Sequence, residues 1–163
     1  MGHSGAGPLL PALGSALGSV AGYVFVDAGL PTPGRSWADE APPELVRQLR
    51  NMATEGWLPR WSRWWDSETL AELLPDAELR ARFDADCPRL PMAMFEESRP
   101  VVPGWPDAPC AYLQLSEAYR EQAERGATLG WPVTTLASDH LALLTDPHPA
   151  RVALLELTRR ISD

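Results

Sequence analysis

The residues able to do chemistry in this sequence are few, and the first of them stands at its start. Met1-Gly-His-Ser-Gly-Ala-Gly7 sets Ser4 among small residues. Gly2-His3-Ser4-Gly5-Ala6 follows a G-x-S-x-G spacing, with Ala6 in place of the last glycine. That spacing marks a sharp strand-to-helix turn, a nucleophile elbow. Its serine takes a strained backbone conformation, and small neighbours let strand and helix pass close to it. The three histidines, His3, His140 and His148, and the two cysteines, Cys87 and Cys110, lie without the spacing of metal ligands. No metal site is expected. Gly2 to Gly7 is also neither a phosphate-cradling loop nor a dinucleotide fingerprint, since no strand is expected before it and no ribose-binding acid follows at the right distance. No cofactor is expected.

The bulk properties narrow the field. A chain of 163 residues is the size of one domain, long enough for a real core. Its net charge of −8 argues against nucleic acid or an anionic membrane surface, both of which favour a basic patch. No stretch reaches the ~18 apolar residues of a transmembrane helix. The apolar segment from Pro8 to Val26 is broken by glycines and lacks a basic leader, so a signal peptide is not expected. Cys87 and Cys110 read as reduced thiols of a cytoplasmic protein rather than a disulfide.

The elements that must position Ser4 follow in order. Leu9, Leu10, Leu13, Ala16 and Leu17 have the spacing of an amphipathic helix, in which Pro8 suits a first turn, Pro11 is less comfortable and Gly18 is a natural stop. Val20 to Val26 is an almost continuous apolar run, the pattern of a strand buried on both faces in a parallel sheet. Asp27-Ala-Gly-Leu-Pro31 reads as the turn that ends it. From Arg35 to about Trp105 the character changes: six of the seven tryptophans and many prolines accompany short helical patterns. This stretch, 35–105, reads as a helical insertion. Cys110 to Leu115 is a second strand, Ser116 to Leu129 a helix stopped by Gly130, and Trp131 to Leu136 a third strand. Ala137-Ser-Asp-His140 is the loop at its end, and Pro149 to Ile161 is a final amphipathic helix with Arg159 and Arg160 at its C-terminus. Alternating strand and helix implies an α/β fold, about three parallel strands flanked by helices.

A serine turn first, a large insertion after the first strand and a histidine loop before the last helix together resemble the C-terminal half of a serine α/β-hydrolase. The resemblance covers essentially the whole chain and implies a single partial domain with a helical lid. Position by position, it makes Ser4 the nucleophile, His140 the general base and the Gly5 N–H an oxyanion donor. A serine hydroxyl is a weak nucleophile until an imidazole takes its proton, and the imidazole needs a carboxylate to fix its tautomer. The family places that acid after the strand before last, which points to Glu117. Asp27, closing the preceding strand, is the alternative, because some members keep their acid there. Asp139 reads as a loop-stabilising residue and His148 as a solvent-facing one. His3 is expected to line the site. Trp61 and Trp65 are candidates for contact with substrate, while most tryptophans read as structural anchors of the lid.

The family normally carries several strands before the serine, and here only Met1 precedes the motif. The resemblance therefore implies a truncated form, lacking the strand that feeds the serine and half of the oxyanion hole, with weak or no activity alone. The expected ligand is a small, ester-like or acyl molecule. The other reading is a non-catalytic, hydrolase-derived interaction module. In it, a partner chain or self-association would cover the open edge left beside the strand Val20–Val26.

Overall fold

The computed structural model describes residues 1–162. In chain order the regular elements are β1 (Gly2–Ser4), α1 (Leu10–Leu17), β2 (Tyr23–Ala28), α2 (Pro43–Met52), α3 (Ser67–Leu73), α4 (Ala77–Asp86), α5 (Ala93–Glu96), β3 (Cys110–Gln114), α6 (Arg120–Thr128), β4 (Val133–Thr135), α7 (Ala142–Thr145) and α8 (Pro147–Arg160). They fall into two compact units. One is Met1–Pro33 together with the chain from Arg99 onward; the other is Gly34–Ser98.

The first unit is built on a four-stranded, wholly parallel sheet of order β1-β2-β3-β4. This corrects the expectation of about three strands and of a serine without a strand to carry it. Gly2, His3 and Ser4 pair with Phe25, Val26 and Ala28. Three residues are too short to show a period of their own, but the ladder offered by β2 suffices to order them. The register skips Asp27, so β2 carries a bulge opposite the step from His3 to Ser4. Asp27 sits there at φ 42°, a conformation that bulges use to re-aim a side chain. The strand thus runs on to Ala28, into the segment expected to be a turn.

Alternation along β2 and β3 divides the core into two layers. Val24, Val26, Ala111 and Leu113 face Ala150, Ala153 and Leu157 of α8. Tyr23, Phe25, Cys110 and Tyr112 face the opposite layer with Leu10 of α1 and Ala123 of α6. Trp105, expected within the insertion, packs in this second layer, its ring edge-on to Tyr23, Phe25 and Trp131. Burial of such side chains stabilises the sheet by about 1.5–3 kcal/mol each. The prolines after Ser4 split the following helix. Gly7–Leu9 forms a 3₁₀ turn holding Pro8, and α1 then starts at Leu10, which puts Pro11 in a first turn where its missing N–H is not needed. Gly18 ends α1 at φ 77°.

The second unit has its own small core of Leu49, Leu58, Trp64 and Met92, with Trp37, Trp61 and Phe95 packed against it. Asp66 caps α3 and Asp76 caps α4 through their carboxylates. The Asp84 carboxylate gathers Ser62 and Arg63. No helix among the described residues is long and apolar enough to cross a membrane.

The turn after Ser4 depends on a close approach. A Cβ on Gly7 would run into the Gly29 carbonyl oxygen and come within 2.8 Å of the Ala28 Cβ. Backbone cannot give way there as a flexible side chain could. Gly7→Ala is therefore expected to lower stability by about 1–3 kcal/mol, read as the midpoint of urea unfolding. An unchanged midpoint would show that the turn has room to spare.

Candidate active site

The strand ends of the first unit bring together residues far apart in the chain. Ser4 closes β1 at φ 56°, left-handed backbone that a serine rarely adopts. The strain is held by the β1–β2 ladder before it and by the tight turn around it, in which the Ala6 N–H donates to the His3 carbonyl at 3.0 Å. Ser4 Oγ lies 3.0 Å from His140 Nε2, and His140 Nδ1 lies 2.7 Å from Asp27 Oδ2. The loop that carries His140 is braced from within. Asp139 Oδ1 accepts the Leu141 N–H at 2.8 Å, the structural role expected of it, and the Ser138 N–H donates to the Leu115 carbonyl.

Asp27 is fully buried. Its Oδ1 accepts the N–H groups of Leu115 and Ser116, and its Oδ2 accepts the Ser116 hydroxyl at 2.6 Å as well as His140. Burial alone would push this carboxyl up. The hydrogen bonds from His140, from the Ser116 hydroxyl and from the two backbone N–H groups together outweigh it and hold the group below its ordinary value. The carboxylate is thus ionised at neutral pH, and an ionised acid facing Nδ1 requires that nitrogen to carry the proton. Nε2 is then left with a lone pair toward Ser4, the tautomer a general base needs.

Glu117 is not part of this arrangement, which corrects the first choice of acid. It begins a 3₁₀ turn, Glu117–Tyr119, that starts just past Ser116. Its side chain is 74% exposed and paired with Arg120 at 2.8 Å. The chain passes the site with the N–H of Leu115 and the N–H and hydroxyl of Ser116, so those groups, and not the next side chain, meet the buried carboxylate.

Two aromatic rings flank His140. His3 stacks on it with centroids 4.5 Å apart, and Tyr119 stacks on it at 5.2 Å and only 11° from parallel. The His3 Nε2–H donates to the His140 carbonyl at 3.0 Å. Burial, and then the charge His140 takes when protonated, lower the His3 pKa. His3 is therefore a neutral wall and hydrogen-bond donor. Tyr119, which sequence reasoning missed, brings its hydroxyl to 3.3 Å from Ser4 Oγ. Its only sequence signal was an aromatic residue just past a strand end. Gly5 follows Ser4 on open ground, where even a Cβ would meet nothing within 4 Å. His148 is exposed at the start of α8. Trp61 and Trp65 lie in the second unit, edge-on to each other at 5.9 Å, with Trp61 also against Phe83. Among the described residues no group of His, Cys, Asp and Glu could hold a metal ion.

No family model matches the sequence, and no curated protein matches it. Among solved structures, the chain is similar to an extracellular α/β-hydrolase from a Paenibacillus species, described as sharing structural and functional homology with tobacco salicylic acid binding protein 2. The TM-score is 0.70 at 20% identity, over 98% of this chain and 69% of that one. The fold is accordingly that of an α/β-hydrolase.

The lowered pKa of His3 has a consequence for folding. A histidine whose folded value lies below the ordinary ~6.5 adds stability at higher pH that is lost as pH falls through the folded value, because the unfolded chain binds the proton more readily. Urea unfolding at pH 7.5 and pH 5.5 is expected to show a smaller loss of stability for His3→Gln than for the natural chain. Equal losses in the two would mean that His3 does not carry the effect.

Proposed function

We propose that this protein is a serine hydrolase of small ester-like or acyl substrates, with Ser4 as nucleophile, His140 as general base and Asp27 as the orienting acid. The observation that carries this reading is the unbroken run of hydrogen bonds from Ser4 Oγ through both nitrogens of His140 to a buried, multiply bonded carboxylate. Perturbed, buried acids aimed at an imidazole cluster at functional sites, and a strained serine beside them has no structural task that a glycine would not do better. The solved hydrolase of the same fold adds support of a general kind, since one fold hosts many activities.

In this reading a lone pair of Ser4 Oγ attacks the acyl carbon while His140 Nε2 takes the hydroxyl proton, and the carbonyl π pair moves onto its oxygen. Collapse of the tetrahedral adduct breaks the bond to the leaving group, which receives the proton from Nε2. Water repeats the sequence on the acyl-serine and frees the acid. Asp27 stays ionised throughout and stabilises the imidazolium that forms. The Gly5 N–H is the oxyanion donor assigned within this chain. Removing one oxyanion donor typically costs ~10²–10³ in rate. The partner class is a small molecule, and the compartment proposed is the cytoplasm, as the two free cysteines suggest.

One observation favours a second reading, a hydrolase-derived interaction module completed by a partner chain or a second copy. β1, the strand that carries Ser4, is an edge of the described sheet and only three residues long.

Labelling with a fluorophosphonate probe separates the two. The folded chain is expected to react, and Ser4→Ala to abolish the reaction. His140→Ala and Asp27→Asn are expected to slow it by ~10³–10⁴-fold, while Glu117→Gln stays within about twofold, as fits an exposed group outside the relay. A folded chain that does not label would remove the enzyme reading and leave the module. Loss of labelling in Glu117→Gln rather than Asp27→Asn would return the acid to Glu117.

A further inference from the structure

We propose that Tyr119 is a further catalytic residue, whose hydroxyl is the second hydrogen-bond partner of Ser4 Oγ and directs its attacking lone pair. The inference rests on the hydrolase reading for its chemistry, but the hydrogen bond itself does not. The direction of donation follows from groups already placed. The ionised Asp27 obliges His140 to carry its proton on Nδ1, so Nε2 can only accept, and the single proton of Ser4 is committed to it at 3.0 Å. Ser4 then has no proton left for Tyr119. In the 3.3 Å contact between the two oxygens the phenol must be the donor. Burial, set against the Ser4 hydrogen bond, pushes the Tyr119 pKa up and keeps that proton on the phenol.

The oxygen of Ser4 has four tetrahedral directions. One is its bond to Cβ, one is the proton held by His140, and one is the lone pair that accepts from Tyr119. A single lone pair is left, and its direction is fixed by the other three. When it forms the bond to the acyl carbon, the Ser4 proton passes to Nε2, and the Tyr119 proton stays where it is. The contact is long for a resting O–H···O bond. It is expected to tighten as negative charge builds on Oγ, because hydrogen bonds to a charged acceptor are roughly twice as strong as neutral ones. The effect therefore belongs in the chemical step rather than in substrate binding.

The ring has a separable task. Tyr119 stacks on one face of His140 while His3 covers the other. Tyr119→Phe keeps the stack and removes only the hydroxyl, which makes it the informative variant.

Two measurements test the proposal. In the first, the second-order rate of fluorophosphonate labelling is compared for the natural chain and Tyr119→Phe, with the His140 ring ¹⁵N shifts recorded on both. A fall of about tenfold, equivalent to ~1.4 kcal/mol of transition-state stabilisation, with the ¹⁵N shifts retained, is the expected result. Labelling within twofold of the natural rate would overturn the proposal. In the second, the ¹³Cζ resonance of Tyr119 is compared between the natural chain and Ser4→Ala. A shift on removing the acceptor is expected, and an unmoved resonance would overturn the proposal whether or not the protein reacts. A natural chain that fails to label while this resonance moves would count against the hydrolase reading and leave the Tyr119–Ser4 bond standing.

Discussion

The site depends on one buried charge. The Asp27 carboxylate has no exposure to water, and an ionised carboxylate moved from water into a protein interior costs several kcal/mol unless it is fully paired. Here two backbone N–H groups, a hydroxyl and an imidazole supply that pairing, and they come from the end of β3 and the loop after β4. The same bonds that make the charge tolerable fasten two separate segments to the end of β2. Removing any one donor leaves the rest with a group they cannot satisfy, so the arrangement holds together as a unit.

Placing a carboxylate there distorts β2, and the distortion is compensated nearby. With Asp27 at positive φ, the strand bulges and Ala28 meets an unusual partner. The Tyr112 hydroxyl, reaching from the neighbouring strand, accepts the Ala28 N–H at 3.0 Å and donates to the Ala28 carbonyl at 2.7 Å. One hydroxyl thereby serves both backbone groups of a buried residue, which would otherwise stand unpaired. The Gln114 side chain steadies the other side of the site through the Ser116 carbonyl. Strain at Asp27 and Ser4 is thus concentrated where the relay is built and supported by ordinary strand pairing around it.

His140 is held on every side that matters. Asp27 and Ser4 take its two nitrogens, His3 and Tyr119 take its two faces, and the His3 Nε2–H takes its carbonyl. In the proposed hydrolase, a ring gripped in this way would keep its plane while a proton moved on and off Nε2, with little reorganisation. The neutral state of His3 matters here. A second imidazolium 4.5 Å away would oppose the charge that the proposed mechanism places on His140.

Much of this was written in local spacing. The order of elements, the two-sided burial of the run now seen as Tyr23–Ala28, the stop at Gly18, the histidine loop and the serine turn can all be read from residues within a few positions of one another. Local patterns report local periodicity, and that is as far as they reach. The strand Gly2–Ser4 exists only because β2 offers it a ladder. The choice of Asp27 over Glu117 turns on a bond across 113 positions of sequence, and the approach of Tyr119 to Ser4 on one across 115. Glu117 was nearest along the chain, but the 3₁₀ turn that begins there leaves its carboxylate exposed to water and to Arg120. The sequence by itself determined the elements after the serine turn and which serine and histidine they position. The tertiary structure decided which acid and which phenol meet them, because a buried carboxylate goes where donors from several strand ends converge.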